Sequence, residues 1–151
     1  MHDPLKQPVS LSQYLGAMSQ AGLQAGISWK VVEAKWTGIQ KAFKGFNPAM
    51  VAKFKGDDID RLMQNPDVIR NRAKLEGIVL NARRLLELEK TDGSFKNYLQ
   101  SLGSFESQLT GLHKEFKFLG ESGAYYFLWQ VGEKVPDWEQ WEKRRLAEAG
   151  T

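Results

Sequence analysis

The chain has 151 residues, of which 42% are hydrophobic and 26% are charged. This composition excludes a disordered protein and predicts one folded domain over residues 1–151. The absence of cysteine, with only His2 and His113 as histidines, excludes disulfides, thiolate metal sites and cysteine nucleophiles, so we expect no bound metal and no cofactor.

Helical periodicity runs through almost the whole chain, and capping residues mark several helix starts. Ser10 and Gln13 form a predicted capping box, Ser28 is a natural N-cap, and Asn47 precedes a proline that suits a first helical turn. The predicted helices cover residues 10–22, 29–43, a short stretch from 48, 56–63, a turn and a long helix within 65–90, 94–102, 104–115, a helix ending near 131, and 137–149. Since no segment alternates with period two, the predicted fold class is all-α, with eight to ten helices.

The stretch QAGLQAGISW, residues 20–29, contains two glycines that are unusual beside a helix. Glycine is unfavourable inside a helix, so Gly22 and Gly26 indicate that bare backbone is needed there. A bound ligand, a neighbouring helix and a tight turn all explain this need. Trp29 follows directly and, from its size alone, is predicted to anchor the core.

The segment FKFLGESGAYYF, residues 116–127, predicts a helical hairpin. One helix ends at Phe116, Gly120 permits a tight turn, and a second helix begins with Ser122 near its start. Exposed amides at such a turn, beside Lys117, can bind a phosphate. An ordinary connection between two helices is the alternative.

A run of basic residues lies just before and along the long helix. Arg70, Arg72, Lys74, Arg83 and Arg84 occur within eighteen residues. Taken alone, such a run indicates a solvated helix face. We expect at most two of these side chains to contact a phosphate.

Three blocks match one known family in order and at close spacing. They are QAGISW at 24–29, the block at 45–83 that contains IRNRAK and NAR, and FKFLGESGAYYFLWQVG at 116–132. The chain resembles the DNA-3-methyladenine glycosylase I family of the helix-hairpin-helix glycosylase superfamily. The resemblance implies an all-α glycosylase-like domain whose helix-hairpin-helix motif covers about 104–131.

The resemblance also implies a site. In that family, the loop matching QAGISW enters the DNA minor groove and walls the pocket for an extruded base. The implied base pocket consists of Ala21, Gln24 and Trp29, with Trp29 stacking on the base. The implied DNA contacts are Gly26, Ile27, Ser28, Lys117, Gly120, Ser122, Gly123, Arg70 and Arg72.

Several family features are missing from this sequence. Ala21 occupies the position of the family's pocket glutamate, which indicates reduced or lost activity, and Glu121 occupies the position of a usual proline. The family's cysteine and histidine zinc ligands are also absent. Asp137 lies near the place of a catalytic aspartate in other members of the superfamily, although its position after Pro136 favours a helix N-cap.

Three functions are therefore predicted. The first is a base-excision-repair glycosylase that acts on double-stranded DNA carrying 3-methyladenine or a related alkylated base. The second is a degenerate relative that binds DNA or a nucleobase without cleavage. The third is a protein-interaction module that presents Trp138 and Trp141 to a partner. Since the sequence shows neither a signal peptide nor a membrane-spanning run, we expect a cytoplasmic protein without membrane contact.

Overall fold

The computed structural model describes residues 3–150, and its regular structure over that range is entirely helical. Nine α-helices are described, together with a short 3-10 turn at Lys44–Phe46. The helices are α1 (Leu11–Gln24), α2 (Trp29–Ala42), α3 (Pro48–Val51), α4 (Gly56–Met63), α5 (Arg72–Asp92), α6 (Phe95–Ser101), α7 (Phe105–Glu115), α8 (Glu121–Gln130) and α9 (Trp138–Ala149). The prediction of an all-α fold is confirmed. Within the described range, no helix is long and apolar enough to cross a membrane.

Two of the predicted caps, at Ser10 and Asn47, form at the starts of α1 and α3. The Ser10 hydroxyl accepts from the Gln13 amide at 3.1 Å, and the Ser10 amide donates to the Gln13 side chain at 2.9 Å. Asn47 caps α3 as expected. Ser28 holds the N-cap position of α2 but makes no side-chain capping bond, and α1 continues two residues beyond the predicted end at Gly22.

Helices α1 and α5 form the centre of the fold. Helix α1 packs against α8 on one side and α5 on another, while α5 also contacts α3, α4 and α6. Its buried apolar residues recur at helical spacing: Leu75, Ile78, Val79, Ala82, Leu85 and Leu88. Leu86 is only half-buried, because the buried face of α5 passes through Leu85 and Leu88.

The C-terminal helix α9 packs onto α8 through aromatic side chains. Trp141 is only 4% exposed, and its ring stacks on that of Tyr125 at a centroid distance of 4.9 Å. Trp138 is half-buried and meets the edge of the same ring, also at 4.9 Å. The prediction that Trp138 and Trp141 form a partner-binding surface is therefore wrong, because their rings stabilise the packing of α9.

Candidate functional site

An open cleft of about 590 Å³ lies between the end of α1, the start of α2 and the start of α8. Ala21, Gln24 and Trp29 line one wall, and Tyr126 faces them from α8. The remaining lining residues are Ala25, Gly120, Glu121, Ser122, Gly123 and Arg145. The structure thus brings together two sets of predicted residues that lie about ninety positions apart in the sequence.

Trp29 is the most exposed aromatic residue of this cleft. It is the first residue of α2, and 45% of its surface is accessible. The prediction from size alone, that Trp29 anchors the core, is therefore wrong. An accessible indole beside a cavity provides a flat apolar surface on which a ring can stack.

A narrow recess extends from the cleft along α1. Its lining adds Ala17, Gln20 and Gln130 to Ala21, Gln24, Trp29 and Tyr126. Amide and hydroxyl side chains can donate and accept hydrogen bonds, which suits recognition of a heterocyclic ring edge. The sequence did not indicate Tyr126 and Gln130 of α8 or Gln20 of α1. Periodicity could not show which sides of these two helices face the cleft.

The loop after α1 is held by a buried lysine. The Lys74 ammonium donates to the carbonyl oxygens of Gly22 at 3.0 Å and Leu23 at 3.3 Å, and also to that of Ala25. Lys74 is 8% exposed, and this burial lowers the pKa of its ammonium group. Lysine at the carbonyl end of a helix satisfies acceptors that lack partners within the helix. This contact fixes the backbone that leads to Trp29.

The two glycines of the segment at residues 20–29, Gly22 and Gly26, are explained by different features of the structure. A Cβ added at Gly22 would lie 3.4 Å from the Cβ of Phe118, so this residue allows the hairpin turn to approach α1. Gly26 has a φ of 78° and forms the turn between α1 and α2, where the left-handed conformation favours glycine. Gly26, Ile27 and Ser28 are surface or partly exposed residues of this loop.

The hairpin turn between α7 and α8 is clamped from α5. The Asn81 side chain accepts from the Lys117 amide at 2.7 Å and donates to the Lys117 carbonyl at 3.1 Å. His113 contacts the Leu119 carbonyl oxygen through Nδ1 at 3.0 Å. Since the backbone of Lys117 is fixed in this way, its exposed side chain projects from a rigid turn.

The residue that permits the turn is Phe118 and not Gly120. Phe118 has a φ of 60°, whereas Gly120 has an extended conformation with a φ of −73°. The Phe118 ring lies against Gly77 of α5, and the Lys74 ammonium is 5.6 Å from its centroid. Gly120 instead serves as the N-cap of α8 without a side-chain capping bond, and the first turn of α8 lines the cleft.

Two charged side chains oppose each other at the mouth of the cleft. The Glu121 carboxylate lies 3.7 Å from the Arg145 guanidinium, beyond hydrogen-bond distance. Arg145 also lies over the Trp141 ring at 5.2 Å and donates to Glu142 at 3.4 Å. Among the described residues that line the cleft, Glu121 is the one acid and Arg145 the one base.

The basic run before and along α5 is largely committed to contacts within the protein. Arg72 forms ion pairs with Asp60 at 2.8 Å and Glu76 at 2.9 Å. Arg83 donates to two backbone carbonyls near α3, and Arg84 pairs with carboxylates of α5 and α7. The expectation that at most two of these side chains contact a phosphate stays a prediction. Arg70 is exposed just before α5.

Asp137 caps α9 and lies outside the cleft. Its carboxylate accepts from the Gln140 amide at 3.2 Å. Asp137 is not among the residues that line the cleft or its recess. The geometry therefore favours the capping role over the catalytic one.

The residues present do not fit the zinc site expected of the family. The chain has no cysteine, and His113 is engaged by the Leu119 carbonyl. His2, the other histidine, lies outside the described residues. Over positions 3–150, no group of three or more histidine or carboxylate side chains is arranged to hold a metal ion.

Comparison with known proteins identifies the family. The model of the methyladenine glycosylase family matches residues 11–119, which include α1, the loop to Trp29, α5 and the hairpin turn. The chain belongs to this family. It is 35% identical to DNA-3-methyladenine glycosylase 1 of Escherichia coli, over 74% of this chain and 71% of that protein. It is 33% identical to the DNA-3-methyladenine glycosylase of Haemophilus influenzae, with the same coverage.

A solved structure supports the same relationship at the level of the fold. The 3-methyladenine DNA glycosylase I of Staphylococcus aureus, studied for its recognition of 3-methyladenine, superimposes with a TM-score of 0.75. The match covers 86% of this chain and 79% of that one, at 30% identity. The arrangement of helices around the cleft thus belongs to a methyladenine glycosylase fold.

Proposed function

We propose that this protein is a DNA glycosylase that removes 3-methyladenine or a related alkylated base from double-stranded DNA. The observation that carries the proposal is the accessible Trp29 ring in a cleft that the first turn of α8 also lines. The cleft volume of about 590 Å³ is within the range of small-molecule sites. Membership of the methyladenine glycosylase family supports the same chemistry.

In this proposal, the two walls of the cleft have separate tasks. Trp29 stacks on the extruded base, while Ala21 and Gln24 form the rest of its pocket. The loop of Gly26, Ile27 and Ser28 approaches the gap left in the duplex. The hairpin holds a backbone phosphate through the start of α8, namely Gly120, Ser122 and Gly123, and through Lys117, with Arg70 and Arg72 as further candidates. The proposal also includes the cytoplasmic location predicted from the sequence, where a protein can reach DNA.

The chemistry of the substrate explains how cleavage can proceed with alanine at position 21. An adenine alkylated at N3 is cationic in the nucleotide, so the glycosidic bond breaks with its electron pair going to a base that leaves neutral. Water then adds to the sugar cation, forms a carbon–oxygen bond and releases a proton to solvent. A neutral leaving group needs less help from an acid, so we expect slow but measurable release, without a metal or a cofactor.

The test is release of free 3-methyladenine from methylated duplex DNA with enzyme in excess. We expect the wild-type protein to release the base, and Ala21→Glu to raise the rate about tenfold or more by placing a carboxylate in the pocket. Since Ala21 is buried, the melting temperature of the variant must show that it folds. A folded wild-type protein that releases no base would reject the glycosylase function.

The absence of a carboxylate at Ala21 favours a second candidate, a protein that binds an alkylated base without cleaving it. The same preparation distinguishes the two functions. Binding of methylated duplex DNA or of free 3-methyladenine, without release of base, would support the second candidate. Loss of that binding in Trp29→Ala would assign it to the cleft.

A further inference from the structure

We propose that Glu121 makes this cleft selective for a positively charged base, which deepens the proposed function and rests on it. The cleft is lined by aromatic rings, amides, small residues and one pair of opposite charges. The face of the Trp29 ring attracts both neutral and cationic bases, and it attracts a cation somewhat more strongly. Strong discrimination by charge therefore requires the carboxylate at the mouth of the cleft.

Glu121 is positioned to present a negative charge to the cleft. It is the first residue of α8, and it lines the cleft together with Trp29 and Tyr126. Its side chain is 62% exposed, and among residues 3–150 the carboxylate has no hydrogen-bond donor at closer range than the 3.7 Å contact with Arg145. The carboxylate is therefore accessible to a ligand in the cleft.

The start of α8 is close to the proposed pocket. A Cβ added at Gly123, two residues after Glu121, would lie 3.9 Å from the Ala21 carbonyl oxygen. The first turn of α8 thus packs directly against the wall formed by Ala21. A base bound between Trp29 and Tyr126 would share the cleft with the Glu121 carboxylate, and charges at a partly solvated site have an appreciable interaction.

Arg145 does not cancel this charge. Its guanidinium is shared among Glu121, the Glu142 carboxylate and the face of Trp141. Its Nε atom is buried and has no hydrogen-bond partner among the described residues, so this group is held by packing on α9 more than by Glu121. An ion pair at 3.7 Å in which Glu121 is exposed is weak, and a cationic base can compete with it.

The alternative is that Glu121 acts only as a favourable charge in the first turn of α8. In that case, its removal would lower stability slightly and would weaken binding of every ligand equally or not at all. A pair of ligands that differ in charge separates the two roles. Free 3-methyladenine is neutral, whereas 3,9-dimethyladeninium has a similar ring and a fixed positive charge, which resembles the alkylated base while it is still attached to the sugar.

The experiment measures the affinity of both ligands by calorimetry for the wild type, Glu121→Gln and Glu139→Gln. Glu139 is the matched control, because it is an exposed acid in the first turn of α9. We expect the wild type to prefer the cation. Glu121→Gln should lose about fivefold in affinity for 3,9-dimethyladeninium and less than twofold for 3-methyladenine, and Glu139→Gln should match the wild type.

An unchanged ratio of the two affinities in Glu121→Gln, or an equal loss for both ligands, would overturn the assignment. This outcome is distinct from failure of the proposed hydrolysis. A wild-type protein that releases base from DNA while Glu121→Gln keeps the wild-type ratio refutes the role of Glu121 alone. A wild-type protein that prefers the cation through Glu121 but releases no base refutes the hydrolysis alone, and one that binds neither ligand and releases no base refutes both.

Discussion

For single residues, the clearest differences between prediction and structure are found at buried polar side chains. Lys74 belongs to a basic run that the sequence pattern placed on a solvated face, yet it is buried and holds three carbonyls of α1 and the following loop. Its spacing contained a signal, because Lys74 precedes the buried Ile78 by one helical turn. Asn81 also lies on the buried face of α5, but this position does not indicate its contact with Lys117. Periodicity identifies the face of a helix, whereas the partner on the opposing element depends on tertiary packing.

The first prediction concerns Lys74. We expect Lys74→Met to lower the free energy of unfolding by about 2–3 kcal/mol, because buried carbonyls lose their donor. The loop that leads to Trp29 should also loosen, so affinity for 3-methyladenine should fall. Chemical denaturation and calorimetry measure the two effects. Lys90→Met is the control, since Lys90 is exposed in the last turn of the same helix, and an equally small effect of both substitutions would contradict the account.

At the scale of elements, the helices and their caps were accessible from the sequence and the turns were less so. Ser10, Asn47 and Asp137 cap the predicted helices because capping depends on residues within one turn of each other. The hairpin turn was predicted at the right place, but the strained residue is Phe118 where Gly120 was expected. Phe118 can occupy this position because Gly22 of α1 and Gly77 of α5 leave space for its side chain. That space depends on how the helices pack.

The two glycines that face Phe118 provide a matched pair. A Cβ at Gly77 would lie 2.8 Å from the Phe118 ring, whereas one at Gly22 would lie 3.4 Å from the Phe118 Cβ. We expect Gly77→Ala to lower the free energy of unfolding by about 1–2 kcal/mol through overpacking. Gly22→Ala should be neutral or slightly stabilising, because alanine is the better helix former. Thermal unfolding measures both, and a stabilised Gly77→Ala would show that the turn is not packed as described.

The hairpin also leads to a prediction about DNA. Lys117→Ala should weaken binding to all duplex sequences by a similar factor and reduce the slope of log affinity against log salt by about 1, since a phosphate contact carries no sequence information. Lys90→Ala is the control. Lys90 lies nine residues beyond Asn81, which contacts the turn, or about 14 Å away along the axis of α5. Equal salt slopes for the wild type and Lys117→Ala would remove Lys117 from the DNA contacts.

At the scale of the whole molecule, the family and the helical class could be predicted from the sequence. The three matching blocks were sufficient for this, and the family match confirms it. The cleft itself required the structure, because it joins the end of α1 to the start of α8 across the packing of these two helices. The C-terminal tryptophans illustrate the opposite case. Their sequence suggested an accessible surface, but Tyr125 and Phe105 cover the Trp141 ring. Composition alone could not distinguish an aromatic surface from an aromatic core.

The central claim is that the cleft beside Trp29 binds an alkylated adenine, and NMR titration of the labelled protein with 3-methyladenine tests it most directly. Each of the five tryptophans contributes one indole N–H signal, and Trp29→Phe identifies that of Trp29 by its disappearance. We expect the Trp29 signal to shift most and to saturate with ligand, while that of the buried Trp141 remains nearly unchanged. Saturable shifts that leave Trp29 unaffected, or no shift at millimolar ligand, would contradict the account.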